Sequence, residues 1–431
     1  MKDDNEFIPF SLPSIGEEEK NAALKVIESG WLTTGKYALE FENQFAKKIG
    51  TKYALAVNSA TSGLTLAFEA CGIKPGDKIL TTPYTFISTC LAACHLGASI
   101  EYADIEENSF SICPEKIEER LAIDANNEKK IKAIVPVHIA GNPCNMEKIC
   151  KIAKKYGVYV IEDCAHAFPA LTKNGYCGTF GDAASFSFYA TKTITTGEGG
   201  MVVTNNETLA ARMKTMRLHG ITRDVWDRYT SKTASWKYDV ADCGFKFNMS
   251  DILASIGIEQ LKKADIFLEK RKKIVEKYNN SFSSEKYFIL PPNSDGNAWH
   301  LYLLGLNFDY LKCTRDEFAQ ELQQRGIGIS VHFIPHYHFS IWQNRKDLFP
   351  SKLNENDFPN CEKHFLRTIT IPLWRLPREL CCSTRGRGVH KRPFRPEPQA
   401  CGCGSGGANG LRGSRISRRL RALSERLRRL P

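Results

Sequence analysis

Two short apolar runs, Ala183–Phe188 and Met201–Thr204, bracket a polar loop that carries one lysine, Lys192, and closes on Gly197-Glu198-Gly199-Gly200. Runs this short, bounded by turn residues, read as buried strands, with the Gly-rich segment as the turn between them. Lys192 is thereby fixed on a loop held between two strands. An ammonium there is costly to bury unless its pKa falls or its amine is used, so the chemistry that suits it is a Schiff base with a carbonyl. A plain surface lysine is the alternative that the loop alone leaves open.

A second segment bears on that choice. Gly157-Val158-Tyr159-Val160-Ile161-Glu162-Asp163 is an apolar strand ending in an acidic pair, and in an open α/β sheet ligands bind just beyond the carboxyl ends of strands. Asp163 is expected to point into such a site. Pyridoxal phosphate requires a lysine for its imine and an acid beside the pyridine nitrogen, because a protonated ring is the better electron sink. Lys192 and Asp163 supply both residue types. His166, three residues on, is placed near the ring hydroxyl or else packed as an ordinary histidine.

Other stretches fit the same frame. Tyr53–Val57 reads as a strand, Asn58–Gly63 as a turn of small residues and Leu64 onward as a helix. Small side chains let amides at a helix start reach an anion, which the helix dipole also favours. Lys78–Thr82, Ser99–Tyr102, Ala133–His138 and Val158–Ile161 read as further strands, with a helix over Asn145–Tyr156. This βαβ rhythm predicts a mainly parallel sheet. No G-x-G-x-x-G follows any of these strands, so a dinucleotide site has no support. Downstream the pattern predicts one long helix from Ile252 to about Asn280, a strand over Trp299–Leu306, a helix after Thr314 and a strand over Ile329–Phe333.

With these motifs in order from about Phe10 to Trp374, the chain resembles the DegT/DnrJ/EryC1/StrS family of sugar aminotransferases. The resemblance implies pyridoxal-phosphate fold type I: an α/β large domain with a mainly parallel sheet over residues 1–250, a connecting helix at 251–283 and a smaller α+β domain at 284–374. It implies that Ala60 and Thr61 hold the cofactor phosphate with the Ser187 hydroxyl, and that Phe86 stacks on the ring. Lys246 stands where relatives carry a polar residue reaching the other subunit's cofactor phosphate, which implies a homodimer with shared active sites. The Trp31–Tyr37 loop, with Thr33 and Thr34, and His332 are implied at the sugar nucleotide. Phe186–Lys192, with His219-Gly220 and Trp226-Asp227-Arg228, looks most like the branch that aminates UDP-linked 4-keto sugars of the 4-amino-4-deoxyarabinose type, with glutamate as amino donor by family habit. The loop around Arg228 suits a diphosphate and a base, though a solvated loop reads the same way. Relatives that dehydrate a 3-position carry histidine where this chain has Lys192, so the lysine argues against that alternative.

Composition excludes less than it first suggests. The net charge is +11, a value that invites a nucleic-acid reading. Residues 375–431, however, hold 14 Arg, 1 Lys, 3 Glu and no Asp, a net +12, while the first 374 hold 44 basic and 45 acidic residues, a net −1. Neither nucleic acid nor membrane is therefore expected as a partner of residues 1–374. The Arg/Gly/Pro-rich tail reads as disordered, or as a shifted reading frame or fused sequence. Its other reading is a basic amphipathic helix over Ser414–Leu430, and with it the whole chain as a non-enzymatic regulator with the tail as its binding arm. Met1–Glu6 shows no apolar signal region and no apolar run reaches 18 residues, so a cytoplasmic chain is expected, its 15 cysteines free thiols. The histidines of His332-Phe333-Ile334-Pro335-His336-Tyr337-His338 are too poorly disposed around a Pro turn for a metal, and none is expected.

Overall fold

The computed structural model describes residues 7–127, 129–222, 238–350, 353–374 and Leu420. Seven strands form the main sheet: β1 (Tyr53–Val57), β2 (Lys78–Thr81), β3 (Ser99–Tyr102), β4 (Ile131–Ile134), β5 (Tyr159–Asp163), β8 (Ala183–Ser187) and β9 (Gly200–Thr204), with the hairpin β6 (Leu171–Thr172) and β7 (Gly175–Tyr176) outside it. Their order is β1-β9-β8-β5-β4-β2-β3. Only β9 runs antiparallel to its neighbours β1 and β8; every other pairing is parallel. Central strands covered on both faces need continuous apolar sequence, and all five residues of β9 are buried.

The helices that cover the sheet begin and end where their residues dictate. Met146–Tyr156 starts on Asn145, whose side chain accepts from the Lys148 amide, carries Lys154 and Lys155 in its last turn and stops at Gly157 with φ 68°. An amide cap, cations at the negative end and a left-handed glycine are the usual terminators. A second, antiparallel sheet, β10 (Phe288–Ile289), β11 (Tyr302–Leu306) and β12 (Thr368–Ile371), packs on helix Arg315–Gln324. Tyr278, Phe282, Tyr302, Phe318 and Ile369 fill its core, and Leu420, the one described residue past Trp374, is helical and fully buried among them. The tail reading otherwise lies outside the described residues.

Two expected elements differ. The helix expected from Ile252 to Asn280 is two, Asp251–Lys262 and Ala264–Phe282, which meet at Lys263. The first half packs on helices Glu17–Glu28 and Lys36–Ile49, the second sends Val275, Tyr278 and Phe282 into the other core, and one straight rod does not serve both. Ile329–Phe333 is not a strand: only Ser330 pairs, with Thr370. The next carbonyl but one, that of His332, accepts from the Tyr84 hydroxyl at 2.9 Å instead of a ladder amide, which draws the segment toward the main sheet.

The described cysteines carry no disulfide. One buried group has metal-ligand composition, His138, Glu162 and Cys164. His138 Nδ1 accepts from the Cys144 amide at 3.1 Å, so its proton sits on Nε2 and is donated to Glu162 at 3.0 Å. The same carboxylate takes the amides of Gly178, Phe180 and Gly181. Its lone pairs are spent on protein donors, a structural clasp that fixes the end of β5.

His332, His336 and His338 take different partners: Thr370 for the first, Thr85 and Tyr102 for the second and Glu362 for the third. His336 is fully buried, donates from Nε2 to the Thr85 carbonyl at 2.9 Å and accepts at Nδ1 from Tyr102 at 3.0 Å. Burial pushes its pKa down to about 4. The unfolded chain protonates this ring near pH ~6.5, so its stabilising contribution is whole above that pH and is lost as pH falls from about 6.5 to about 4. We expect this group to steepen the fall of unfolding free energy by about 1.4 kcal/mol per pH unit in that window. Urea titrations at several pH values check it: His336→Gln lowers stability at neutral pH but flattens the acid slope.

Candidate active site

The carboxyl ends of β1, β5 and β8 converge. Asp163 stands opposite Ser185 in the β5–β8 ladder, and Ser187, Gly200 and Val57 lie in one row across β8, β9 and β1. From β1 the chain passes to helix Ala60–Ala70, which starts four residues before the expected Leu64 because Ser59 Oγ accepts from the Ser62 amide at 3.1 Å and caps it. The small residues are thus the first helical turn itself. A Cβ on Gly200 would lie 2.7 Å from the Ala60 nitrogen and 2.6 Å from the Ser59 carbonyl carbon, so only glycine lets β9 approach this helix start. Ser185 Oγ donates to the Ala60 carbonyl at 2.9 Å and locks the same junction from β8. Ser187 Oγ accepts from the Tyr189 amide at 3.3 Å, which leaves its proton free to donate.

Asp163 is buried, accepting from Thr89 Oγ1 at 2.8 Å and the Ala165 amide at 3.0 Å. Burial raises its pKa, while those two donors and the charge of Lys192 oppose the rise. Lys192 sits on the loop leaving β8, and burial pushes its ammonium down to about 8 against the pull of the Asp163 carboxylate. The charges of the amine and the acid expected to form the site therefore act on each other. An amine titrating that near neutrality is available as a base and nucleophile.

Three histidines lie within reach of the Lys192 charge, and burial together with that charge lowers the pKa of each. His166 accepts at Nδ1 from the Ala140 amide at 3.3 Å and stacks on Phe333, with ring centroids 5.5 Å apart at 20°. His332 shares a hydrogen bond with Thr370 Oγ1 at 2.9 Å, stacks on Phe10 and is pushed by burial down to about 4. His300, which sequence reasoning missed, lies with its ring 4.4 Å from that of His166. Thr89 was missed as well, since nothing in Ser88–Cys94 marks it. Phe86 is no core residue: it is 59% exposed and touches Phe333 at 6.1 Å between centroids.

The remaining expected residues gather on the other side of the helix start. Lys246 Nζ donates to Asn248 Oδ1 at 2.6 Å, and Asn248 Nδ2 donates to Thr34 Oγ1 at 2.5 Å. The Lys246 carbonyl accepts from Asn58 Nδ2 at 3.3 Å. Thr33 is exposed, and its carbonyl accepts from the Asp251 amide. Arg228 lies outside the described residues.

Residues 13–378 match the DegT/DnrJ/EryC1/StrS aminotransferase family. This chain belongs to that family. SpsC of Bacillus subtilis, a spore coat polysaccharide biosynthesis protein, is 42% identical over 86% of this chain and 93% of its own. Among solved structures, PseC of Helicobacter pylori, an aminotransferase in the biosynthesis of pseudoaminic acid, superposes with a TM-score of 0.74 at 31% identity, covering 86% of this chain and 94% of its own. Spr1654 of Streptococcus pneumoniae superposes with a TM-score of 0.81 at 25% identity, covering 97% of this chain and all of its own, and has been solved in PMP and PLP forms. The fold is the α/β fold type I of pyridoxal-phosphate enzymes, and pyridoxal phosphate is the cofactor. The residues present fit it: a buried carboxylate and an amine of lowered pKa, beside a helix start of small residues that Gly200 and Ser185 hold in place.

Proposed function

We propose that this aminotransferase moves an amino group from glutamate to C4 of a 4-keto sugar carried on UDP, acting as a cytoplasmic homodimer with shared active sites. The observation that carries the reading is the pair itself, Asp163 at the end of β5 and Lys192 on the loop that leaves the adjacent parallel strand β8, each acting on the other's pKa. Bound there, the cofactor supplies an electron sink for the carbon that exchanges its amine. Lys192 would hold it through its amine, which near neutrality can also accept and return the proton at the reacting carbon. Asp163 would face the pyridine nitrogen and favour its protonated form. The Ala60 and Thr61 amides and the Ser187 hydroxyl would hold the phosphate, Phe86 would cover the ring, and His166 would lie at the ring hydroxyl.

Lys246 serves the partner subunit's cofactor phosphate as a point charge. Thr33, Thr34, Arg228 and His332 receive the sugar nucleotide. The polysaccharide and pseudoaminic acid roles of SpsC and PseC support a sugar substrate. The test is turnover of UDP- and dTDP-linked 4-keto sugars with glutamate by the purified protein: a 4-amino product from the UDP substrate is expected, and a 3-deoxy product, or no amination of any 4-keto sugar, contradicts the proposal.

A further inference from the structure

His300 has no role in anything derived so far, yet its placement is costly. It is 5% exposed and its Nδ1 lacks any hydrogen-bond partner among the described residues. An orphaned buried imidazole nitrogen is destabilising, and such a group persists in folds chiefly where a site uses it. The backbone around it is strained too. Ala140 and Trp299 both adopt left-handed conformations, φ 59° and 48°, without being glycine. Such outliers cluster at functional sites.

Ala140 binds His300 and His166 into one unit. The Ala140 amide donates to His166 Nδ1, and the Ala140 carbonyl accepts the His300 amide at 2.8 Å. A Cβ on Gly141, the next residue, would lie 2.9 Å from Ala298 Cβ and 3.1 Å from the His166 carbonyl, so the segments are pressed together with no slack. Because Nδ1 of His166 is an acceptor, its proton is on Nε2. Among the described residues the imidazole ring packed against it is that of His300, centroids 4.4 Å apart at 49°. Hydrogen bonds in unliganded sites are often long and tighten only when ligands arrive.

We propose that His300 is a positioning residue for the transamination site, its free Nδ1 the group that orients the His166 ring and fixes which of its nitrogens faces Lys192. This rests on the reading of Lys192 and His166 as cofactor contacts. The titratable or charged groups acting on the His300 ring are His166, Lys192, Arg271 and His332, and all but burial's own effect come from positive or potentially positive neighbours. Burial and those neighbours hold His300 well below its ordinary value, and His166 likewise. Both rings are therefore uncharged at neutral pH. An uncharged His166 is a hydrogen-bond partner and adds no positive charge beside Lys192. A His166 free to turn or to protonate would lower the Lys192 pKa further.

The test uses three variants of the cofactor-loaded protein. Asn sets an amide near the position of Nδ1, Gln near that of Nε2, and Leu fills the volume without polarity. The readout is the pH midpoint of the visible band of the lysine-linked cofactor, measured without substrate. His300→Leu and His300→Gln are expected to shift that midpoint by about half a unit or more, and His300→Asn to restore most of the wild-type value. In the cofactor-free protein His300→Leu is expected to melt no lower than wild type, because it removes the orphaned nitrogen. Midpoints unchanged in all three variants, or shifted equally in all three, overturn the proposal, as does a marked loss of melting temperature in His300→Leu, which would mark a packing role. A wild-type protein with no visible band brings down the Lys192 reading and this one with it, whereas a band indifferent to His300 brings down this one alone.

Discussion

Lys192→Ala lowers kcat by about 10⁴-fold or more and abolishes the visible band of the bound cofactor, while the protein folds and melts no lower than wild type. The kinetic loss is large because one amine performs two tasks, holding the cofactor and shuttling the proton, and no described lysine stands in its place: Lys246 is turned onto Asn248. The stability half of the expectation follows from the sign of the pKa shift. Burial lowers the Lys192 pKa from its ordinary value to about 8. The unfolded chain therefore binds this proton more tightly, so the group's destabilisation of the fold builds as pH falls from about 10.4 and is complete below about 8. Truncation removes that penalty. A differential melting experiment at pH 7 beside a steady-state assay checks both halves, and added small amines that recover part of the rate would identify the lost group as a base.

Asp163→Asn is expected to cost about 10²–10³-fold in kcat, the usual price of removing one fixed electrostatic partner of a reaction centre. Shape is conserved, since the Asn Oδ1 can still accept from Thr89 or the Ala165 amide, which now hold the carboxylate. What disappears is the negative charge. Asp163 is the group that holds the Lys192 pKa up against burial, so the variant moves the Lys192 titration to lower pH. Modification rates of Lys192 in the cofactor-free protein, followed against pH by mass spectrometry, measure that displacement directly. An unshifted midpoint would mean that the two groups do not act on each other.

Much of this site is legible in the sequence for a physical reason. Buried strands leave an apolar trace, so β1, β5, β8 and β9 announce themselves, and with them the loop of Lys192 and the end of β5 at Asp163. Local signals failed where tertiary contacts decide. The helix break at Lys263 comes from two cores pulling on one amphipathic pattern, and no residue there is a breaker. Ile329–Phe333 has strand composition, yet a tyrosine from a distant segment takes the carbonyl that a ladder would use. His300 lies within a run read as a strand, and its meeting with His166 depends on left-handed backbone at Ala140 and Trp299, two residue types that give no warning of it. Thr89 matters only because the fold turns it toward Asp163. The family resemblance reached Ala60 and Thr61, but the start of their helix was misplaced because the Ser59 cap was read as part of a turn.

The most direct test of the central claim is to reduce the cofactor-loaded protein with borohydride, digest it and locate the attached pyridoxyl group by mass spectrometry. The account predicts one modified peptide, with the label on Lys192, and none in Asp163-intact protein carrying Lys192→Ala. A label on another lysine such as Lys246, or cofactor released unattached after reduction, contradicts it.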